Sequence, residues 1–222
     1  MRKCIINFAC QGRERYLSGQ GRLLASLGQA GYTGERLVRT SSYPEGCPTH
    51  KEVPYAFKYH MFKEAFAQGQ ELVLWLDASC VIRKPLGPLW SLIKQKGVLL
   101  FNNPGANEAL FTSKDCLDKL GCSMETAQGL NQCCGGVVGL SRESPMAQDL
   151  LARMLELSKD GVSFQGGSNT SPHPKFQSHR HDQSCLTYLA RRIGIEYEPF
   201  DLIRYSYDSR GLDDAIIEFR GM

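Results

Sequence analysis

The sequence predicts an α/β protein built as a three-layer sandwich, with helices on both faces of a mostly parallel sheet. Two observations predict it. Continuous apolar runs at residues 4–9 and 72–76 are typical of strands that are buried on both faces. Segments with helical spacing of apolar residues alternate with these runs, and such alternation favours parallel strands joined by helical crossovers. The length of 222 residues fits one domain.

The first half of the chain alternates predicted strands and helices. Between residues 55 and 68 the apolar residues recur at helical spacing, and Gly69 is placed to end that helix. The following run, 72–76, is uniformly apolar, so we expect it in the middle of the sheet. The predicted elements are strand 4–9, helix 16–30, strand 36–39, helix 55–68 and strand 72–76.

The second half is predicted to continue the pattern less regularly. Ser144 and Pro145 are typical of a helix start, and Gly135 and Gly136 interrupt a strand-like run. Residues 160–180 are rich in Gly, Ser, Asn, Pro and His without periodicity, which indicates a long functional or mobile loop. The predicted elements are helix 86–94, strand 97–101, strand 133–140, helix 145–158, helix 182–193, strand 195–200 and strand 215–219.

Composition excludes some classes of protein. The chain has 26 basic and 23 acidic residues, a net charge of +3, which argues against a dedicated nucleic-acid binder. Its apolar runs are too short for a membrane span or a signal peptide, so the nine cysteines are expected to be reduced thiols of a cytoplasmic protein. The alternative is a structural zinc site, although the spacings contain no C-x-x-C pair. Its candidate ligands are Cys116, Cys122, Cys133 and Cys134.

Asp77 follows directly after the apolar strand 72–76. Ligands of parallel α/β sheets bind at the carboxyl ends of the strands, so a carboxylate here can hold a divalent metal ion or a ribose hydroxyl. A strand-terminal Asp that caps a turn is the alternative.

The surroundings of Asp77 carry a resemblance to a known family. A helix with Lys58 precedes the strand, the strand ends in Asp77-Ala78-Ser79, and the run Val81-Ile82-Arg83-Lys84-Pro85-Leu86 follows. This order resembles the core of the GT-A (Rossmann-like) glycosyltransferases, where a D-x-D motif ends the central strand. The resemblance implies transfer of a sugar from a UDP- or GDP-sugar to an acceptor hydroxyl of a glycan or glycoconjugate. It also implies a single domain over 1–222, with the nucleotide part at about 1–100 and the acceptor part at about 101–222.

The motif departs from the family at its second acidic position, which is Ser79. The acids of D-x-D enzymes bind Mn²⁺ or Mg²⁺, and a serine hydroxyl is a weaker ligand. Related enzymes often end on a strand with a metal-binding His, and Glu218 stands at that place here. The resemblance therefore implies a metal site of Asp77, Ser79 and Glu218, although an exposed strand Glu is the alternative at the last position.

The resemblance also assigns residues to the donor. The strand at 131–142 would line the donor sugar pocket, with its glycines admitting close approach of the backbone; a bulge or bend in a core strand is the alternative. The first loop would hold base and ribose, and the basic residues would contact phosphate, although a solvated surface charge is the default for each. The implied donor-binding residues are Ala9, Gln11, Arg13, Arg15, Lys58, Asp77, Ala78, Ser79, Gly135, Gly136 and Arg220.

Asp182 opens a predicted helix in the sequence His181-Asp182-Gln183. In many GT-A families such a D-Q pair follows the acceptor loop, and the resemblance makes Asp182 the candidate catalytic base toward the acceptor hydroxyl. A helix N-cap is the alternative, and the two roles are compatible. Residues 160–180 would then be a lid or acceptor-recognition loop.

Two other functions remain open. A sugar-nucleotide nucleotidyltransferase shares the sheet and carries a Gly-rich, Arg-containing first loop, of which Gln11-Gly12-Arg13 retains little. A non-catalytic module that binds a nucleotide sugar or a glycan would explain the loss of the second acid at Ser79. We expect neither nucleic acid nor a membrane span among the partners of this chain.

Overall fold

The computed structural model describes residues 1–10, 14–207 and 214–221. The strands are β1 (Lys3–Ala9), β2 (Glu35–Thr40), β3 (Leu72–Leu76), β4 (Cys80–Ile82), β5 (Val98–Leu99), β6 (Asn102–Asn107), β7 (Asn131–Cys133), β8 (Val137–Ser141), β9 (Ile203–Tyr205) and β10 (Ile217–Phe219). The helices are α1 (Glu14–Gln29), α2 (Ala56–Ala67), α3 (Gly87–Lys96), α4 (Glu108–Phe111), α5 (Lys114–Leu120), α6 (Met124–Gln128), α7 (Pro145–Leu157) and α8 (His181–Arg192).

A five-stranded sheet in the order β2-β1-β3-β8-β5 forms the centre of the fold. β1 pairs in parallel with β2 and β3, whereas β8 runs antiparallel to both β3 and β5. Four of the five strands therefore point the same way, which confirms the predicted mostly parallel α/β sheet. β3 lies in the middle, as its uniform apolar sequence predicts. Two smaller sheets have the orders β4-β10-β9 and β6-β7.

The central sheet is covered on both faces. Alternate residues of a strand point to opposite faces, so Ile5 packs with α1 and α3, whereas Ile6 packs with α2, α7 and α8. The same division places Leu74 on the first face and Trp75 on the second. Two apolar cores thus share one sheet.

The predicted strand at 195–200 is wrong. Only Glu198 bridges the sheet, since its N–H donates to the Leu100 carbonyl and its carbonyl accepts from the Asn102 N–H. The next residue, Pro199, has no N–H to extend the ladder. The predicted strand 133–140 is two strands, β7 and β8, which the turn at Gly135 and Gly136 separates.

The polar segment 160–180 contains neither helix nor strand, yet it is anchored. Phe164 is buried against the ring of Tyr59, and the Arg180 N–H donates to the Phe111 carbonyl. Its role as a lid stays a prediction, and any such motion is restricted to the exposed residues between these anchors. Within the described residues, no helix is long and apolar enough to cross a membrane.

Candidate functional site

Asp77 lies at the end of the central strand β3, beside the start of β8. Its N–H donates to the Gly136 carbonyl at 2.9 Å, and its Oδ1 accepts from the Trp75 indole at 2.6 Å. Burial raises the pKa of Asp77 above its ordinary value, although the Lys58 ammonium and the Trp75 hydrogen bond act in the other direction. The structure thus holds one carboxylate in a fixed orientation at the lip of the sheet.

A buried polar network fixes the strand ends beneath Asp77. Asn7 in β1 donates from Nδ2 to the Leu76 carbonyl at 2.6 Å, and Gln20 of α1 donates from Nε2 to Asn7 Oδ1 at 2.7 Å. Gln20 also accepts from the Thr40 hydroxyl at 2.8 Å. Sequence reasoning missed this network, and its signal is a single Asn in an otherwise apolar strand.

The two glycines before β8 allow close approach on both sides. A side chain at Gly136 would meet the Phe219 ring at 2.6 Å and Asp77 Oδ2 at 3.2 Å. A side chain at Gly135 would meet Gln183, whose Oε1 accepts weakly from the Gly135 N–H at 3.4 Å. A Cβ at Gly136 would therefore force the Phe219 ring to move, whereas at Gly135 the Gln183 side chain would have to give by only a few tenths of an ångström.

A buried ion pair joins α2 to α8 next to Asp77. Lys58 Nζ donates to Asp182 Oδ2 at 2.7 Å and to the Gly135 carbonyl at 2.8 Å, and the Tyr59 hydroxyl donates to the same Oδ2 at 3.1 Å. The side chains of Lys58 and Asp182 are only 2% and 5% exposed. Burial alone would lower the pKa of Lys58, but the charges of Asp182 and Asp77 outweigh it and the pKa is raised.

Asp182 does not act as the helix N-cap. α8 begins at His181, its N-cap residue is Arg180, and no side chain caps it. Asp182 is the second residue of the helix and turns inward to Lys58. The alternative of a plain capping role is therefore wrong, while the predicted role as catalytic base stays a prediction.

An aromatic pocket opens beside Asp77, at the carboxyl ends of β1 and β3. The rings of Phe8 and Phe57 stack in it with centroids 4.4 Å apart. Its lining is Phe8, Cys10, Tyr16, His50, Tyr55, Phe57, Trp75, Asp77 and Ala78. Sequence reasoning assigned only Asp77 and Ala78 of this set, because helical periodicity marked Tyr55 and Phe57 as core residues and no pattern pointed to His50.

Tyr55 and His181 indicate strain at the site. Both have left-handed backbone conformations, with φ of 63° and 48°, which bulky side chains rarely adopt. Their rings lie 5.6 Å apart, and they stand at the starts of α2 and α8, the helices that carry Lys58 and Asp182. Strain of this kind persists where the surrounding structure imposes it, and it clusters at functional sites.

The other predicted donor residues lie around this centre. The Ala9 carbonyl already accepts from the Ser41 N–H at 3.0 Å, and Ala78 is buried against Gly19 of α1. The Ser79 carbonyl accepts from the Arg220 N–H at 2.9 Å. Arg15 is exposed and stacks over the Tyr16 ring. Gln11 and Arg13 lie outside the described residues.

The structure does not bring Glu218 to Asp77. The Glu218 carboxylate accepts from Arg220 at 3.0 and 3.2 Å and lies 3.5 Å from the Arg83 guanidinium. Neighbouring residues of a strand point to opposite sides, and it is Phe219 that faces Gly136 and Asp77. Glu218 is also buried, so the alternative of an exposed strand Glu is wrong as well. Arg220, assigned to the donor phosphates, is exposed and pairs with this carboxylate.

The residues present can hold a metal ion only with help from a ligand. Asp77 offers one oxygen beyond the one bound to Trp75, and Ser79 offers a hydroxyl. In the described part of the chain, no three His, Cys, Asp or Glu side chains lie together as a metal site, and this holds for the four cysteines considered for zinc. Mg²⁺ is commonly bound through one or two carboxylates plus substrate phosphates, and Asp77 fits that pattern.

No family model matches the chain, and no curated protein matches it by sequence. Among solved structures it is similar to a glycosyltransferase involved in the glycosylation of the major capsid of PBCV-1, with a TM-score of 0.60 and 14% identity. The match covers 99% of this chain and 93% of that chain. The chain therefore has a fold similar to that of this glycosyltransferase. At this identity the likeness shows the fold, and the chemistry must be argued from the site.

Proposed function

We propose that this protein transfers a sugar from a nucleoside-diphosphate sugar to an acceptor hydroxyl of a glycan or glycoconjugate, as a GT-A enzyme. The observation that carries the proposal is the position of Asp77. It lies at the carboxyl end of the central strand, between an aromatic pocket and the Lys58–Asp182 pair. This is the edge at which open α/β sheets bind nucleotides.

The aromatic pocket fits the nucleoside of the donor. Stacked rings with a few polar groups are typical of small-molecule sites, and a flat base can stack on the partly exposed rings of Tyr16 or Tyr55. The diphosphate would then lie toward Asp77 and the glycine turn. In the reaction, the bond between the anomeric carbon and the diphosphate oxygen breaks, and the electron pair leaves with the diphosphate. The acceptor oxygen bonds to that carbon, and its proton passes to a base or to water.

Charge supports a role for Mn²⁺ or Mg²⁺. Asp77, Asp182 and Lys58 together carry one net negative charge when both acids are ionised, which by itself would repel a diphosphate. We propose that Asp77 and Ser79, together with the donor phosphates, hold the cation. When bound, it would neutralise charge on the leaving diphosphate.

The Lys58–Asp182 pair supports two roles. Lys58 binds the carbonyl of Gly135, so the pair holds the glycine turn against α2. We propose this as the main role of Asp182, because Lys58 and Tyr59 already occupy one of its oxygens. To act as a base toward the acceptor, Asp182 would have to use its other oxygen. Replacement of Asp182 by Asn distinguishes the positioning role from the role as base. A base makes activity depend on pH through its own titration, whereas a positioning residue does not.

A non-catalytic binding module is the second candidate. The observation that favours it is Ser79, which leaves Asp77 without a second acidic ligand on the same loop. Such a module would bind nucleotide sugars in the same pocket without releasing nucleotide. Donor turnover therefore distinguishes the two functions.

The test is release of UDP or GDP from a panel of nucleotide sugars, with Mn²⁺, with Mg²⁺ and with EDTA. We expect at least one donor to be turned over, and Asp77→Asn to lower that rate by about 100-fold or more because the cation and diphosphate lose their carboxylate. Asp118→Asn is the matched control, since Asp118 is exposed on α5.

Each result decides between the candidates. Binding of nucleotide sugars in thermal-shift measurements without any turnover would favour the binding module. No shift with any nucleotide or nucleotide sugar would reject both functions. Full activity in Asp77→Asn would contradict the role given to this residue.

A further inference from the structure

A strip of aromatic rings leads from the Asp77 site to the protein surface. Phe219 packs against Gly136, and the Tyr205 ring lies 5.4 Å from the Phe219 ring. Tyr207 stacks on Tyr205 at 5.2 Å with an angle of 7° between the ring planes. We call the rings of Tyr205 and Tyr207 the tyrosine platform.

Tyr207 remains largely open to solvent although its ring stacks on Tyr205. Its side chain is 83% exposed, more than that of any other large hydrophobic residue in the described part of the chain. Tyr207 lies in the turn after β9, where its ring stacks on one face of Tyr205 and leaves its own outer face open to solvent. An exposed flat apolar surface next to a ligand site is typical of a further binding surface.

Polar groups surround the platform. The Tyr205 hydroxyl donates to Asn103 Oδ1 at 3.0 Å, and the partly buried Arg180 guanidinium lies near Tyr205. A pyranose ring has one apolar face of C–H groups and a rim of hydroxyls. An aromatic face, whose π-system is electron-rich, can stack on the C–H face while amide, hydroxyl and guanidinium groups bind the rim.

The platform lies on the opposite side of the sheet from the proposed nucleoside pocket. Phe8, Phe57 and Trp75 of that pocket belong to the core under α2, α7 and α8. Phe219 belongs to the core under α1 and α3, and Tyr205 packs against that core. Asp77 stands between the two aromatic sets, with Trp75 on one side and Phe219 beyond Gly136 on the other.

We infer that the tyrosine platform binds a pyranose ring of the saccharide acceptor. This inference rests on the proposed sugar transfer and adds to it the acceptor class, a saccharide rather than a lipid or peptide hydroxyl. The platform would hold one sugar ring while a neighbouring hydroxyl reaches the donor at Asp77.

The experiment uses the full chain with saturating UDP or GDP, whichever binds. Saturation-transfer NMR is recorded with methyl pyranosides of glucose, galactose, mannose, N-acetylglucosamine, xylose and rhamnose. We expect at least one to bind and to show contacts between its C–H protons and a tyrosine ring. Tyr207→Ala should weaken that binding about tenfold, whereas Tyr207→Phe should retain it because the ring face remains.

The controls separate the platform from the donor site. Met146→Ala removes another exposed apolar side chain, on α7, and should bind the glycosides like the wild type. Nucleotide affinity is measured for every variant. The inference is overturned if no glycoside binds to a protein that binds nucleotide, or if Tyr207→Ala leaves glycoside affinity unchanged. An equal loss of nucleotide and glycoside binding in Tyr207→Ala would also overturn it, by placing the ring at the donor. Absence of nucleotide binding in the wild type would instead count against the proposed function.

Discussion

Glu108 shows how one buried residue can set the response of the fold to pH. Its carboxyl group is fully buried, where it accepts from the Thr112 hydroxyl at 2.7 Å and the Gln132 amide at 2.9 Å. Burial raises the pKa of Glu108 from 4.5 to about 8, against the effect of these two hydrogen bonds. At neutral pH the folded protein therefore keeps a proton on Glu108 that the unfolded chain releases.

We predict that Glu108→Gln removes a loss of stability between pH 4.5 and about 8. Between pH 4.5 and about 8, unfolding of the wild type releases this proton, so its free energy of unfolding falls as pH rises. A Gln amide matches the neutral acid, since it can accept from Gln132 and donate to Thr112. The measurement is urea unfolding at several pH values. Relative to the wild type, the free energy of unfolding of the variant should rise with pH up to pH 8, by about 1.4 kcal/mol per pH unit at most. Parallel stability curves for the two proteins would contradict the raised pKa.

Single residues were predictable from sequence where a local pattern placed them. Asp77 was found because a uniformly apolar strand ends beside it, and Lys58 because its helix precedes that strand. His50 and Tyr55 were missed as pocket residues, because the non-helical segment before α2 carries no sequence pattern that shows its rings facing Asp77. The surroundings of Glu218 were partly hidden, since Arg83 comes from a distant part of the chain, although Arg220 is only two residues away.

At the level of elements, the Lys58–Asp182 pair is the electrostatic link between α2 and α8. A buried pair is costly to assemble, but removal of one partner leaves an isolated buried charge. We predict that Lys58→Met lowers the free energy of unfolding by about 3–5 kcal/mol, and that the double variant Lys58→Met, Asp182→Leu recovers most of this loss.

Urea unfolding of both single variants and the double variant measures this coupling. Lys114→Met, which breaks an exposed pair with Asp118 on α5, is the control and should cost about 0.5 kcal/mol or less. If Lys58→Met costs no more than this control, the pair does not hold the two helices together.

Elements were predictable when their own sequence decided them. The strand at 72–76 and the helix at 145–157 agree with prediction to within a residue, because apolar patterning and the Ser144 cap are local signals. β4 and β6 pair with β10 and β7, which lie elsewhere in the sequence, and β9 has only three residues, so nothing local marks these strands. The predicted strand 195–200 was wrong because its sequence pattern is local, whereas a strand also needs a partner. Of these residues, Glu198 alone forms a bridge to a neighbouring segment.

For the whole molecule, we predict a single cooperative unfolding transition. The two apolar cores lie on opposite faces of the same strands. If one core unfolds, the strands that the other core packs against are lost, so both should unfold together. Calorimetry should give one transition whose calorimetric and van't Hoff enthalpies agree. Two separate transitions would contradict the single domain predicted over residues 1–222.

The direction of β8 has a consequence for how the chain acquires its shape during synthesis. β8 inserts between β3 and β5, so the middle of the sheet stays incomplete until residues 137–141 have been made. Until then the central strand exposes an unpaired edge, a template for association with other chains. A ribosome-bound fragment of the first hundred residues should therefore need protection by chaperones, and a nucleotide present at that stage would meet the residues of the aromatic pocket without the turn at Gly135 and Gly136.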